Sequence, residues 1–211
     1  MSILLVHFLP RGQQSNTRRL VAAFRDEAGG EGVVDVDLAR EAPPMFDAVR
    51  LAAYTRRNYQ GVQLSAEEQR QLAAADRQVS LLEQARDVVL AFPIYNFSVP
   101  APVKAWIDAV TQKGRTWDLE GGVYRGKMAG RRALVLMTAG GSYRGERASW
   151  DHATPLVRHV FEFMGFDGVE VILADGMNSE APDVAEQRLC EAEARVRDYA
   201  RERFGMMAGV L

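Results

Sequence analysis

Three segments of this chain combine residue types that suit a planar, phosphate-bearing ligand. The first, Phe92-Pro93-Ile94-Tyr95-Asn96-Phe97-Ser98-Val99-Pro100, is bracketed by prolines that stop a helix and favour an extended path. An extended loop aims its amides at a flat heteroaromatic ring, and Tyr95 and Phe97 add planar surfaces. Asn96 has both a donor and an acceptor, which matches the acceptor–donor edge of a uracil-like ring. The same residues also read as a strand-to-helix turn with packed aromatics. The second segment, Leu9 to Thr17, ends in Ser15, Asn16 and Thr17, at the expected start of a helix. Free amides and the positive end of the helix dipole suit a phosphate there, and the Ser15 and Thr17 hydroxyls add donors. Simple helix capping accounts for these residues equally well. The third segment is Thr138-Ala139-Gly140-Gly141-Ser142-Tyr143. Its glycine pair lets backbone approach a ligand closely, and Tyr143 offers a hydroxyl.

Other chemistries find less support. No Walker lysine and no G-x-G-x-x-G are present, which weakens nucleoside triphosphate and dinucleotide readings. No G-x-S-x-G elbow marks an α/β-hydrolase. His7, His152 and His159 lack ligand spacing with any Cys or carboxylate cluster, so no metal site is expected. Asp35 and Asp37 stand near the second apolar run, where dinucleotide folds keep a ribose-binding acid, but the matching glycines are missing. The lone cysteine, Cys190, makes no internal disulfide and reads as a packed helix residue, and cytosol is the default compartment.

The elements that position these segments follow from hydrophobic patterning. Apolar runs at Ile3 to Phe8, Val33 to Leu38, Val88 to Phe92, Ala133 to Thr138 and Val169 to Ala174 read as strands, mostly buried on both faces. Helical stripes lie between them. Leu20, Val21, Phe24 and Ala28 form the first, and Val103, Trp106, Ile107 and Val110 another. Leu156, Val157, Val160, Phe161 and Met164 follow, with Gly165 as a stop, and Leu189, Ala192, Val196, Tyr199 and Ala200 form the last. Ser65-Ala66-Glu67-Glu68 is a capping box, with Leu64 as a hydrophobic staple, opening a helix towards Ala85. Strand and helix thus alternate into a doubly wound α/β sandwich of three layers, with a five-stranded parallel sheet of order 2-1-3-4-5. In such a sheet the ligand lies beyond the carboxyl ends of the strands, near the switch between strands 1 and 3. All three segments fall there. Residues 43–64 show no clear period and read as a long loop, whose Tyr54, Arg56, Arg57 and Tyr59 reach over a site or across a dimer, or form a flap without a role.

The 211 residues fit one domain, 1–211, and bury a large core. With 47% apolar residues, 26% charged residues and a net charge of −2, the chain has no electrostatic footprint for nucleic acid. No run approaches a membrane span, and Met1 to Val6 is too short for a signal segment.

The residues resemble a known family over essentially the whole chain. Pro93-Ile94-Tyr95-Asn96-Phe97, then Pro102-Val103-Lys104-Ala105-Trp106-Ile107-Asp108, Gly114-Arg115-Thr116-Trp117, Gly126-Lys127 and Thr138-Ala139-Gly140-Gly141 resemble motifs of the FMN-dependent NADH:azoreductases. These belong with the flavodoxin-like NAD(P)H:quinone oxidoreductases. The resemblance implies a single flavodoxin-like domain that binds FMN non-covalently, in a cytoplasmic homodimer with the site at the subunit interface. It places the phosphate on Ser15, Asn16 and Thr17. The ring lies against Ile94 to Phe97, with Pro93 leading in, and its pyrimidine side faces Thr138, Ala139, Gly140 and Gly141. Hydride passes from NADH or NADPH to the flavin, and electrons to a quinone or azo acceptor, in alternating half-reactions. Tyr143 is the candidate catalytic polar group, and Gly140 and Gly141 supply amides to the charge that develops near the flavin N1 and O2. The segment Asp118 to Tyr124 is expected to line the acceptor pocket. Arg56, Arg57 and Arg115 are candidate contacts for a 2′-phosphate of NADPH. A non-enzymatic flavin carrier and a tailoring reductase for one polycyclic aromatic metabolite are the alternative readings.

Overall fold

The computed structural model describes residues 2–30, 32–41 and 44–205. Five strands form one parallel sheet: β1 (Ile3–His7), β2 (Val33–Asp37), β3 (Asp87–Pro93), β6 (Arg132–Thr138) and β7 (Gly168–Ala174), in the order β2-β1-β3-β6-β7. Counting only these five, the order is 2-1-3-4-5, as expected. A separate antiparallel hairpin, β4 (Trp117–Glu120) and β5 (Val123–Gly126), takes the intervening numbers.

The strands read as unbroken apolar runs because successive side chains face opposite helical layers. Leu4, Val6, Leu90, Phe92, Val135 and Met137 pack with Val79, Trp106 and Phe161 on one face. Ile3, Leu5, Ala91, Leu134 and Leu136 pack with Leu20, Phe24, Leu189 and Val196 on the other. The first face is covered by α3 (Ala66–Gln84), α4 (Ala101–Val110) and α5 (Ala153–Phe163); the second by α1 (Asn16–Ala28) and α6 (Pro182–Phe204). Parallel registers carry Pro93, Thr138 and Ala174 to one level at the carboxyl ends. The loops that follow them therefore start side by side.

Local signals explain several boundaries. The capping box is present: the Ser65 side chain accepts from the Glu68 amide, and Glu68 accepts in return from the Ser65 amide. Leu64 is buried, but its partners are Ala53 and Leu72 rather than a residue at the staple position. Gly165 follows the end of α5 with φ of 88°, the left-handed stop. It also packs against Gly126. A Cβ on Gly126 would collide with the Met164 carbonyl carbon and the Gly165 amide, so the backbones of β5 and the α5 terminus cross where only glycines fit.

The structure corrects the long-loop reading of residues 43–64. Pro43 lies outside the described residues, but Ala48–Asn58 is a helix, α2, whose N-cap Asp47 accepts from the Arg50 amide at 2.9 Å. Its short apolar face packs Ala53 and Tyr54 with Phe46, Leu64 and Leu72 in a satellite cluster. The polar residues are tied inward. The Tyr54 hydroxyl accepts from the Lys113 amide at 2.9 Å, and Arg57 forks onto Asp76 at 2.6 and 2.9 Å. Arg56 pairs with Glu68 at 2.7 Å, and Arg115 with Glu83. Arg56, Arg57 and Arg115 are thus each paired with a carboxylate of this chain. Cys190 is also corrected: it is exposed on α6, and its thiol donates to Glu186. Among the described residues, no helix is long and apolar enough to cross a membrane.

Candidate functional site

A cavity of about 590 Å³ opens at the carboxyl ends of β1, β3 and β6. Ser15, Asn16, Pro93 to Phe97, Thr138 to Gly141 and Tyr143 all line it. Hydrogen bonds lock its loops together. The Ile94 amide donates to the Thr138 carbonyl at 2.8 Å, joining the first and third segments. The Thr17 and Thr138 hydroxyls share a 2.6 Å bond that joins the second to the third.

The structure revises the chemistry within each segment. Ser15 occupies the N-cap of α1 in extended backbone, yet its side chain makes no capping bond. Its hydroxyl is left for a ligand, beside the amides of Asn16 and Thr17, which have no carbonyl a turn earlier to bond. Thr17 does not line the cavity. It is fully buried and its hydroxyl is spent on Thr138, so it contributes an amide and a brace between loops. The expected extended path through Tyr95 to Phe97 is also corrected. Asn96 and Phe97 have φ of 47° and 73°. Tyr95 and Ser98 exchange two main-chain bonds of 3.0 Å across them. This is a type I′ turn carrying a phenylalanine where glycine is the usual occupant. A bulky residue there costs about 1–3 kcal/mol, the kind of local strain that accumulates at ligand sites. Because the turn bonds use only Tyr95 and Ser98, the Asn96 and Phe97 amides stay available.

Tyr143 lies at the rim, its phenol pushed above the ordinary range by burial and by the nearby Asp151 carboxylate. It is a neutral donor throughout the physiological range. Phe97 stands edge-on to Trp150, with ring centroids 5.9 Å apart, and both rings are about half exposed.

Four lining residues were given no individual role in the sequence reading: Pro10 and Arg11, inside the second segment, and Met177 and Asn178, outside all three. The last two belong to a fourth loop, after β7. Asn178 and Met177 amides donate to the Gly140 and Ala139 carbonyls at 2.9 Å. A signal was present in Asp175-Gly176, a turn dipeptide at another carboxyl strand end. The segment Asp118 to Tyr124, expected at the acceptor pocket, is instead the β4–β5 hairpin and is absent from the lining of this chain's cavity. Its turn is Gly121-Gly122, with φ of 57° and 81°. Leu119, Val123 and Tyr124 are exposed. His7 is structural: its Nε2 lies 2.8 Å from an Asp35 oxygen within the edge of the sheet.

Among the described residues, the lining contains no carboxylate. It offers one guanidinium, a helix N-terminus, the hydroxyls of Ser15, Tyr95, Thr138 and Tyr143, three asparagines and aromatic faces. That donor set suits an anionic ligand with a flat ring, and the volume lies within the usual range for small-molecule sites.

Comparison with known proteins agrees with the architecture. A family model described as flavodoxin-like fold matches residues 1–200. The chain is 37% identical over 205 residues to FMN-dependent NAD(P)H:quinone oxidoreductase 1 of Pseudomonas aeruginosa, covering 89% of this chain and 95% of that one. It is 34% identical to FMN-dependent NADH:quinone oxidoreductase 2 of Pseudomonas fluorescens, covering 94% and 98%. Among solved structures, an azoreductase from Bacillus anthracis superposes with a TM-score of 0.85 at 23% identity, covering 96% of this chain and all of that one. By the fold, the matched length and the identity to these relatives, the chain belongs to the flavodoxin-like family that holds the FMN-dependent NAD(P)H:quinone oxidoreductases.

Proposed function

We propose that the protein is an FMN-dependent NAD(P)H oxidoreductase that reduces quinone or azo compounds by a ping-pong mechanism. The observation that carries this reading is the acid-free cavity at the switch point of the sheet, with an uncapped helix N-terminus at one side and a strained aromatic turn at the other. Bound FMN would supply the redox chemistry, carrying the two electrons and the proton of a hydride from NADH or NADPH to the acceptor, which would take its second proton from solvent.

The residues of this chain bind, orient and polarise. The Ser15 hydroxyl, with the Asn16 and Thr17 amides, holds the phosphate, and Arg11 adds positive charge. Pro93, Ile94, Tyr95, Asn96 and Phe97 form the ring platform, with Asn96 at the pyrimidine edge. Thr138 and Ala139 brace that side, and the Gly140 and Gly141 amides face the position where negative charge develops. Tyr143 supplies a proton-bearing donor at the mouth. The exposed rings of Tyr95, Phe97 and Trp150, with Leu119, Val123 and Tyr124 of the hairpin, support a homodimer in which the partner's hairpin completes the acceptor pocket. The protein is cytoplasmic in this reading, and one domain performs the whole reaction.

Purified protein is expected to be yellow, to bleach with NADH in the absence of air, and to turn over menadione. A colourless protein that FMN does not stabilise overturns the reading. Bleaching without menadione turnover favours a carrier.

A further inference from the structure

The mechanism above leaves the buried carboxyl group of Asp175 unused. Asp175 follows β7 directly, and its side chain is only 4% exposed. It is held at the centre of a polar knot. The carboxylate accepts from the Tyr143 amide at 2.7 Å, from the Ser142 hydroxyl at 3.2 Å and from the Arg144 Nε at 3.1 Å. Arg188 Nη1 lies 3.5 Å from it, and donates to the Asp175 carbonyl at 3.3 Å. Main-chain bonds continue the seam, from Gly176 to the Gly141 carbonyl at 2.9 Å and from Ser179 to Gly140 at 3.1 Å. The fit is tight: a Cβ on Gly140 would meet the Asn178 Nδ2 at 2.8 Å. Three consecutive residues, 142–144, are thus gathered by one carboxylate. A buried carboxylate is kept only where its hydrogen bonds offset desolvation, and here most of those bonds go to a single loop.

We infer that Asp175 is a positioning residue, which sets the Gly140–Tyr143 loop against the bound flavin and so tunes both its affinity and its reduction potential. The inference rests on the FMN reading. Asp175 does not line the cavity and acts through the amides and the phenol that do. Arg188 holds the carboxylate from behind, paired also with Glu180 at 3.2 Å, so the anchor is fastened to α6.

The test uses the purified holoprotein with Asp175→Asn and Asp175→Glu. Asn keeps an acceptor for the Tyr143 amide but loses the charge. Glu keeps the charge and moves the carboxylate outward by one methylene. Both are expected to weaken FMN binding about tenfold, the scale of one charge-assisted hydrogen bond. The Glu variant, with unchanged net charge, is also expected to bind a flavin of more negative midpoint potential, because its loop amides are displaced. If either variant fails to fold, Ser142→Ala removes one donor without touching the charge, and a smaller loss of affinity is expected. Variants with lower melting temperatures but wild-type FMN affinity and potential reduce Asp175 to a fold-holding role and overturn the inference. Wild-type protein that binds no FMN overturns the functional reading, and this inference with it.

Discussion

The 2.6 Å bond between the Thr17 and Thr138 hydroxyls ties the start of α1 to the end of β6, and its removal has a calculable and asymmetric cost. Thr17 is 0% exposed and Thr138 is 4% exposed, but only Thr138 lines the cavity. In Thr138→Val, the Thr17 hydroxyl is left in a dry interior without a partner, which costs about 2 kcal/mol. In Thr17→Val, the Thr138 hydroxyl can turn to water in the cavity, and the cost falls to about 1 kcal/mol. For a chain of this size each kcal/mol moves the melting temperature by about 2–4 °C. Thr138→Val is therefore expected to melt about 4–8 °C below wild type, and Thr17→Val about 2–4 °C below. In the double variant no hydroxyl is stranded, so it is expected within about 1 kcal/mol of wild type, a coupling of about 2 kcal/mol. Thermal melts of the four proteins without flavin complete the cycle. Additive losses, or equal losses in the two single variants, refute the reasoning.

Three further predictions follow from the site and its supports. Ser15→Ala is expected to weaken FMN binding about tenfold while leaving the flavin-free melting temperature within about 2 °C, because the side chain caps nothing; titration of flavin fluorescence against the variant checks this. Gly126→Ala is expected to part β5 from the end of α5, break the 2.9 Å bond from the Met128 amide to the Met164 carbonyl, and cost about 3 kcal/mol in a denaturant melt. Gly121→Ala, with open space around it, serves as the milder control. The phenols of Tyr54, Tyr143 and Tyr199 are all raised, chiefly by burial. Native protein then holds these protons more tightly than unfolded chain. This stability is present in full below the ordinary phenol value of about 10, and is lost as pH rises through the folded values. Replacing Tyr54 or Tyr199 by Phe is expected to flatten the alkaline limb of a pH–stability curve, and an unchanged limb refutes it.

How much of this was legible in the chain depends on the range of the interactions involved. Strands buried on both faces announce themselves as apolar runs, and Ser65 and Glu68 cap a helix using only neighbours in sequence. Helix α2 was unreadable for the converse reason. Among its residues only Ala53 is buried, and its apolar partners, Leu64 and Leu72, lie beyond its own segment. The β4–β5 hairpin carries its Gly-Gly turn in plain view, but its strands are only four residues each and largely exposed, so no alternation stands out. The I′ turn at Asn96-Phe97 runs against local preference. The prolines on either side favour extended backbone, and only the surrounding packing holds a phenylalanine at positive φ.

The sequence by itself determined the five-strand order, the switch point and three of the cavity's loops, because burial pattern and chain order dictate where the carboxyl ends of a doubly wound sheet lie. Only the tertiary structure decided what each residue does there. It sent the Thr17 hydroxyl inward to Thr138, freed Ser15 from capping, and spent Arg57 and Arg115 on carboxylates. It also drew Asp175 to a loop more than thirty residues earlier in the chain. The physical reason is that a polar group's role is set by its partners, and here those partners are separated by up to 121 positions in sequence, brought together only when the sheet closes its register.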